Sequence, residues 1–294
     1  MSQPYLAVDA TDLLHRVAEQ VPDDLRANVV VIGSIATAWA FRGLSGTATV
    51  ATKDIDLMLR PAIDAVTTAE TIGQALLAQG WQPRFTADRP PGDAGTPAAD
   101  LPALRLTPPG QEDGWFVELL AEPPRGQSDR KYWRRFHTPR GDFGLPSFRY
   151  LPVAVFDAEV TPSGLSAARP AGMALAHLLE HAMPDRTPIS GLPGNPPRFV
   201  KDVGRAIALW WLARELSGEA EREWRVHWNA LLAALYPGAE TQTLAAARGG
   251  GLEALDGYLR DAHQIAMTSV LAPYGTPFPA FERARADLRR ILER

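Results

Sequence analysis

The feature that most constrains how this chain can fold is an apolar, β-branched run that stops at a glycine. Asn28 to Ile32 reads NVVVI, and Gly33-Ser34 follows directly. A short run of this kind is typical of a buried strand. The next stretch, Ile35 to Phe41 (IATAWAF), has a helical composition. We therefore predict a buried strand, a tight turn and a helix in succession, which begins a mixed α and β structure.

A second predicted strand carries charge on one of its two faces. Lys53 to Leu59 (KDIDLML) alternates acidic and apolar residues. Side chains two residues apart on a strand point to the same face, so Asp54 and Asp56 should lie side by side. The preceding stretch 43–52 (GLSGTATVAT) contains two glycines and is predicted to be a loop.

The rest of the N-terminal half carries weaker patterns of the same kinds. Residues 9–20 and 61–79 have the apolar spacing of helices. Residues 87–103 are rich in proline, glycine and alanine, which favours an excursion on the surface. Residues 104–106 and 115–120 are predicted to be paired strands.

Beyond Pro170 the pattern is overwhelmingly helical. The predicted helices cover 171–183, 199–216, 219–235, 252–268 and 277–293. Four tryptophans fall on these helices and are predicted to lie in the core: Trp210, Trp211, Trp224 and Trp228. We therefore predict an α+β chain in two parts. The first is a domain of mixed sheet and flanking helices, 1–165, and the second is a helical C-terminal domain, 166–294.

Composition narrows the classes of function. The chain has 294 residues and a net charge of −4, so any nucleic-acid partner would need a local basic patch. It has no cysteine, which excludes disulfides, thiolate metal sites and cysteine nucleophiles. No apolar run is long enough to span a membrane, and no secretory signal is visible. We therefore predict no membrane partner and a cytoplasmic location.

Three acids on predicted strands form the candidate catalytic group: Asp54, Asp56 and Glu118, the last of which interrupts the apolar run WFVELL. Neighbouring carboxylates on core strands repel one another, and a divalent cation removes that repulsion. Gly33-Ser34 offers backbone N–H groups and a hydroxyl that can hold a triphosphate. Each feature alone also fits a structural role, as a surface pair, a strand end or a turn. Their order along the chain favours a nucleotide site.

This order of features resembles the nucleotidyltransferase fold of the DNA polymerase β superfamily. VVVIGS, a helix, ATKDIDLML and the later strand WFVELL resemble its Gly-Gly/Ser turn, Asp-x-Asp pair and third acid. Within that superfamily the chain is similar to the AbiEii-type group, which includes toxins of bacterial toxin–antitoxin systems. The runs AGMALAHLLEHAMPDR and RFVKDVGRAIAL also resemble that group's lysine-bearing helix and Lys-Asp motif. The resemblance covers roughly residues 28–215.

The resemblance implies a nucleotidyltransferase-like sheet and a Mg²⁺-dependent transfer of an NMP from an NTP to an acceptor hydroxyl, with release of pyrophosphate. The metal ligands it implies are Asp54, Asp56 and Glu118, and Glu118 is alternatively the general base. The nucleotide-binding set it implies is Gly33, Ser34, Lys53, His177 and Asp202. Lys201, in the Lys-Asp motif, would neutralise phosphate charge during catalysis.

The chain departs from the family pattern at four places. The spacer between Ser34 and Asp54 holds 19 residues, several more than expected. Val50 stands where the family often has an arginine, His177 where it has the helix lysine, and Arg205 where it has an acid. A histidine is charged at pH 7 only if its pKa is high enough, whereas a lysine is charged there regardless. These departures leave room for a protein that binds nucleotide without transferring it.

Two further features have competing interpretations. Residues 125–140 (RGQSDRKYWRRFHTPR) combine cations with aromatic rings, which favours a single-strand nucleic-acid surface such as a tRNA site. The alternative is a solvated basic helix or loop whose aromatics pack on the core. His177 and His181 have the spacing of metal ligands on a helix, but ordinary helix packing, or a phosphate contact by His177, also fits.

Three functions follow from the sequence. The first is a nucleotidyltransferase acting on tRNA, another RNA, a protein hydroxyl or a small molecule, with a cognate antitoxin as a further partner. The second is a catalytically impaired nucleotide-binding protein of the same fold. The third is an antibiotic-type nucleotidyltransferase, which predicts a small acidic acceptor pocket in place of a basic groove.

Overall fold

A computed structural model describes residues 6–46, 48–110, 114–127, 129–190, 192 and 194–293. Its strands are β1 (Leu6–Asp9), β2 (Val29–Ile32), β3 (Thr49–Thr52), β4 (Asp54–Leu59), β5 (Gln82–Arg84), β6 (Arg105–Thr107), β7 (Phe116–Ala121), β8 (Lys131–Thr138), β9 (Gly141–Phe148), β10 (Glu159–Val160) and β11 (Ser166–Ala167). Its α-helices are α1 (Ala10–Ala18), α2 (Gly33–Ala40), α3 (Arg42–Ser45), α4 (Ala65–Ala78), α5 (Leu151–Val155), α6 (Pro170–Glu180), α7 (Arg198–Leu216), α8 (Ala220–Leu235), α9 (Ala239–Ala247), α10 (Gly250–Ala254), α11 (Leu259–Met267) and α12 (Phe278–Leu292).

A seven-stranded mixed sheet lies at the centre of the N-terminal part, in the order β10-β11-β2-β4-β7-β6-β5. β2 runs antiparallel to β4, whereas β4 and β7 are parallel. Every residue of β2 is buried, as its β-branched run predicts. In β4 the alternation buries Ile55 and Leu57 and places Asp54 and Asp56 on the more open face. The α+β class, the two strands and their facing residues are therefore confirmed.

The C-terminal part is helical, also as predicted. α6, α11 and α12 each pack against α7, which is the central helix of this region. Three of the four tryptophans form a buried row, in which Trp224 lies 5.1 Å from Trp210 and 5.4 Å from Trp228 between ring centroids. Among the described residues, no helix combines the length and the apolar character that crossing a membrane requires.

The two parts share structure across the predicted boundary. β11 pairs in parallel with β2, so the sheet extends to Ala167, two residues beyond the predicted limit at 165. One hydrophobic core also runs through both parts, from Ala10 in α1 to Ile291 in α12. The helical part is therefore packed directly onto the sheet.

The prediction of a loop over 43–52 was wrong. Residues 42–45 form the short helix α3, and Thr49–Thr52 form β3, which pairs antiparallel with β1. The sequence Thr-Val-Ala-Thr alternates sides, and Val50 and Thr52 are buried. The glycines favoured a loop locally, but the strand forms because the distant β1 supplies its hydrogen-bond partner.

Two other predictions need correction. Within the stretch 125–140, Lys131–Thr138 are not a helix or loop but form β8, paired with β9 along its whole length. The aromatic ring of Phe136 is buried, as that interpretation predicted. The stretch 252–268 is not one helix, since a 3-10 turn at Asp256–Tyr258 separates α10 from α11. Helix α9 was not predicted; Leu244 is its only buried residue.

The Trp228→Phe substitution tests the contact between α8 and α6. The Trp228 ring is fully buried, and its Nε1–H donates to the Ala171 carbonyl oxygen of α6 at 2.8 Å. Phenylalanine removes that hydrogen bond and part of the buried ring, so the free energy of unfolding should fall by about 1–3 kcal/mol. Urea denaturation measures it. Trp211→Phe, at a partly exposed ring, is the control and should cost less.

Candidate active site

The three predicted acids lie together on adjacent parallel strands. Asp56 of β4 is the register partner of Glu118 of β7, and Asp54 lies two residues before Asp56 on the same face. Burial raises the pKa of Asp56 well above its usual value, and the charges of Asp54 and then Glu118 raise it further. The sheet therefore brings three carboxylates together, and ionisation of Asp56, which interacts with the other two, is disfavoured.

The Gly33-Ser34 turn faces this group. Ile32 pairs with Asp56, so the chain leaves β2 directly beside that carboxylate. Gly33 has a φ of +71°, and a Cβ atom there would lie 2.9 Å from Asp56 Oδ2. Both the left-handed backbone and the limited space favour glycine here. The turn therefore approaches the carboxylate so closely that any side chain at residue 33 would displace Asp56.

Two cations reach the site from α7. Lys201 and Arg205 lie four residues apart, on the same face of the helix. Arg205 Nη2 donates to Ser34 Oγ at 3.4 Å. Burial lowers the pKa of Lys201, nearby Arg205 lowers it further, and the carboxylates Asp202, Asp54 and Asp56 oppose both effects. The sheet carboxylates and the helix cations therefore face one another.

The facing charges do not form direct ion pairs. Among the described residues, neither Asp54 nor Asp56 has a cationic nitrogen within 4.0 Å, and neither Lys201 nor Arg205 has a carboxylate oxygen that close. Arg205 and Lys201 are nevertheless near enough to Asp56 to lower its pKa, and Asp54 and Asp56 are near enough to Lys201 to raise its pKa. α7 therefore presents two cations to the carboxylates of β4, with no ion pair between them among the described residues.

The third acid is held by an arginine. Arg105 of β6 pairs in register with Glu118, and its Nε lies 2.6 Å from Glu118 Oε2. Within the described ranges, no three acidic or histidine side chains are arranged as a ready-made metal cage. Glu118 is therefore already paired with a cation. Asp54 and Asp56 are left as the available pair of carboxylates.

Residues next to Asp54 position it. Thr52 Oγ1 donates to Asp54 Oδ1 at 3.0 Å. Lys53, predicted to bind nucleotide, precedes β4 directly, and its carbonyl oxygen accepts the Phe116 N–H at 2.9 Å. The Lys53 backbone therefore helps to hold β7 beside β4. The contact of Thr52 with Asp54 was not predicted, because residues 43–52 were predicted to be a loop.

His177 and His181, at the C-terminal end of α6, lie close to Asp202 of α7. His181 is fully buried, and its Nε2 lies 2.9 Å from Asp202 Oδ2. Burial raises the pKa of Asp202, but the His181 hydrogen bond and nearby positive charge, including that of Lys201, outweigh it and hold that pKa well below its usual value. Burial lowers the pKa of His177 to about 4. His177 is therefore neutral at pH 7, and it supplies no positive charge to the site.

The basic stretch 125–140 is largely engaged in tertiary contacts. Arg130 pairs with Glu180 and with Asp185, in the latter case at 2.7 Å. Arg134 and Arg135 donate to backbone carbonyl groups elsewhere in the N-terminal part. Guanidinium groups held in this way are less available to nucleic-acid phosphates. These contacts explain Arg130, Arg134 and Arg135 through folding, and an RNA surface here stays a prediction.

A cavity of about 480 Å³ lies away from the carboxylates. Its lining includes Trp39 and Ala40, in the last turn of α2, and Trp224 of α8. Ser34 is in the first turn of the same helix, so the helix length separates the cavity from the candidate site. The candidate site is the group of charged side chains on β4, β7 and α7, and the cavity is a separate feature.

No protein-family model, curated protein or solved structure matches this chain. The argument for a function therefore depends on the geometry and chemistry of the residues described above.

A comparison of the single variants Gly33→Ala and Gly46→Ala tests the close approach of Gly33 to the Asp56 carboxylate. Both glycines have φ near +70°, but a Cβ at Gly46 meets no described atom within 4 Å. Both substitutions should therefore cost about 1–2 kcal/mol from the backbone alone. Gly33→Ala should cost about 1 kcal/mol more, because the Asp56 carboxylate must move. Urea denaturation of both variants measures the difference, and equal losses would contradict the contact.

His177 should make stability depend on pH. Its folded pKa of about 4 lies below the unfolded value of roughly 6.5, so between these values only the unfolded chain binds the proton. The free energy of unfolding should therefore fall as pH falls through this window, by about 1 kcal/mol per pH unit. His177→Gln should flatten the slope in urea denaturation. His15→Gln, on the exposed side of α1, should leave it unchanged.

Proposed function

We propose that this chain is a Mg²⁺-dependent nucleotidyltransferase, which transfers an NMP from an NTP to an acceptor hydroxyl. The observation that carries the proposal is that the Asp54–Asp56 pair and the Lys201–Arg205 pair act on one another electrostatically without forming an ion pair among the described residues. Opposite charges placed together in this way would normally pair directly or be neutralised by ligands. A nucleotide triphosphate with its metal fits both sides, with the metal on the carboxylates and the phosphates on the cations.

The carboxylate side fits Mg²⁺. Asp54 and Asp56 offer hard oxygen ligands on one face of β4, and Thr52 orients the first of them. Mg²⁺ is commonly held by one or two carboxylates together with substrate phosphates, and it needs no all-protein cage. A pair of aspartates without a third fixed ligand matches that pattern. When bound, the metal would neutralise the phosphate charge that develops during transfer.

The phosphate side comes from the turn and from α7. The N-terminus of α2 points its first backbone N–H groups outward beside the Ser34 hydroxyl. Lys201 would hold phosphate charge from the opposite wall. In the reaction, the acceptor oxygen forms a bond to the α-phosphorus while the bond to the β-phosphate oxygen breaks, and pyrophosphate leaves. The acceptor proton passes to the Glu118 carboxylate.

That last step requires Arg105 to release Glu118. Arg105 is about half exposed, so the ion pair can open when a substrate arrives. If it does not open, Glu118 cannot act as a base. This pair is the specific observation that favours the second candidate function, a protein that binds nucleotide without transferring it. RNA as the acceptor and an antitoxin as a partner stay predictions of the resemblance.

A transfer assay distinguishes the two functions. The protein is incubated with Mg²⁺, each labelled NTP, and total tRNA, protein or aminoglycoside as the acceptor. We expect label transfer that Asp54→Asn and Asp56→Asn each reduce by about 100-fold or more. Asp100→Asn, at an exposed aspartate, is the matched control and should keep full activity. Nucleotide binding without transfer would instead support the binding protein.

The stability of the Asp56→Asn variant, with and without Mg²⁺, tests the metal site without an activity assay. Because folding raises the pKa of Asp56, the fold loses stability as pH rises above the unfolded pKa of this carboxyl, so Asp56 destabilises the fold at pH 7. Without divalent metal, the variant should be more stable than the wild type by about 1 kcal/mol. Saturating Mg²⁺ should raise the melting temperature of the wild type and leave that of the variant unchanged. A wild type that does not respond to Mg²⁺ would contradict the metal site.

A further inference from the structure

The cavity beside the last turn of α2 is a feature that the proposed function does not use. Its volume of about 480 Å³ lies within the range of small-molecule sites, roughly 300–1,000 Å³. Residues from α2, β11, α6, α7 and α8 line it, so elements of the sheet and of the helical part surround it together. None of its described lining residues belongs to the candidate active site. A ligand bound here would therefore be independent of the proposed transfer.

Small side chains leave this space open. Ala171, Ala213 and Ala220 line the cavity from α6, α7 and α8. Trp39 and Trp224 line it as well, and both rings are almost wholly buried, so the surrounding core holds this part of the wall in place. Because the described side chains do not fill the space, the wall lacks van der Waals contacts that an apolar ligand group would supply.

Arg42 brings a cation to the cavity in a fixed position. Its Cζ lies 4.3 Å from the Trp39 ring centroid, and its Nη1 donates to the Trp39 carbonyl oxygen at 2.6 Å. Within the described ranges, Arg42 has no carboxylate oxygen within 4.0 Å. Arg169, the second arginine of the cavity, is already engaged, because its Nε donates to the Asp157 carbonyl oxygen at 3.0 Å. Arg42 therefore keeps N–H donors available for a carboxylate.

Other groups at the cavity carry charges of both signs. α6 begins there at Pro170, no side chain caps it, and its N-terminus carries a partial positive charge. α7 ends there at Leu216, and its C-terminus carries a partial negative charge. The carboxylates of Glu159 and Glu223 line the cavity too, and among the described residues neither has a cationic nitrogen within 4.0 Å. The cavity therefore offers unpaired groups of both signs.

We propose that this cavity binds a free amino acid with an apolar side chain, a small zwitterion whose two charges match the two kinds of charge at the wall. The ligand carboxylate pairs with Arg42, and the ligand ammonium pairs with Glu159 and Glu223. The apolar side chain packs against the tryptophans and alanines. A ligand with a single charge would meet wall groups of its own sign without compensation, so the same wall disfavours simple anions and simple cations.

Calorimetry on the wild type tests this match with a series of ligands. L-Phenylalanine is compared with N-acetyl-L-phenylalanine, which lacks the ammonium, with L-phenylalaninamide, which lacks the carboxylate, and with glycine, which lacks the apolar group. We expect L-phenylalanine to bind at least about tenfold more tightly than each of the three, because each analogue loses one kind of contact. This comparison needs no variant, so it does not depend on how well a variant folds.

Two variants assign the contacts to the cavity. Arg42→Gln should weaken L-phenylalanine binding about tenfold and leave L-phenylalaninamide binding unchanged, since that ligand has no carboxylate. The double variant Glu159→Gln, Glu223→Gln should weaken L-phenylalanine binding about tenfold and leave N-acetyl-L-phenylalanine binding unchanged, since that ligand has no ammonium. Arg283→Gln and Glu282→Gln, at exposed positions of α12, are the matched controls.

Three results would overturn the proposal. The first is a wild type without saturable binding of either L-phenylalanine or L-leucine. The second is an analogue that binds as tightly as L-phenylalanine, because the missing group would then not be recognised. The third is L-phenylalanine binding at full strength in either variant, because the amino acid would then lie elsewhere on the chain. The transfer assay is unaffected by each of these results.

Discussion

The candidate site depends on the antiparallel pairing of β2 with β4. That pairing places the end of one strand beside Asp56, and the missing side chain of Gly33 lets the following turn approach the carboxylate. The same β4 is paired on its other side with β7, which brings Glu118 into register. One strand therefore sets the positions of both the carboxylates and the turn. A one-residue shift in its pairing would turn the acids to the opposite face of the sheet.

In the absence of a ligand, the electrostatic interactions within the candidate site destabilise the fold. Asp56 is buried between two other acids, and Lys201 is largely removed from water. Such groups are costly unless a ligand compensates them, and in natural proteins this kind of cost is concentrated at functional sites. The surrounding core, which runs continuously from the sheet into the helices, is extensive enough to support it.

The sequence predicted the parts of the fold that depend on local patterns. The strand of four apolar residues, the alternation around Asp54 and the helical C-terminal part are all present. The parts that depend on distant partners were missed. β3 exists because β1 pairs with it, and Lys131–Thr138 form a strand because β9 lies beside it. Arg205 was noted as a departure, but its contact with Ser34 requires the packing of α7 and could not be derived from spacing.

The pairing of β1 with β3 links the start of the chain to the candidate site. Within the described residues, β1 is the sole strand neighbour of β3, and Thr52 at the end of β3 orients the Asp54 carboxylate. Anything that removes the first strand, such as a protease, leaves Thr52 on an unpaired segment. A binding protein that captured this strand would do the same. The orientation of the Asp54 carboxylate therefore depends on a strand pair that lies outside the seven-stranded sheet.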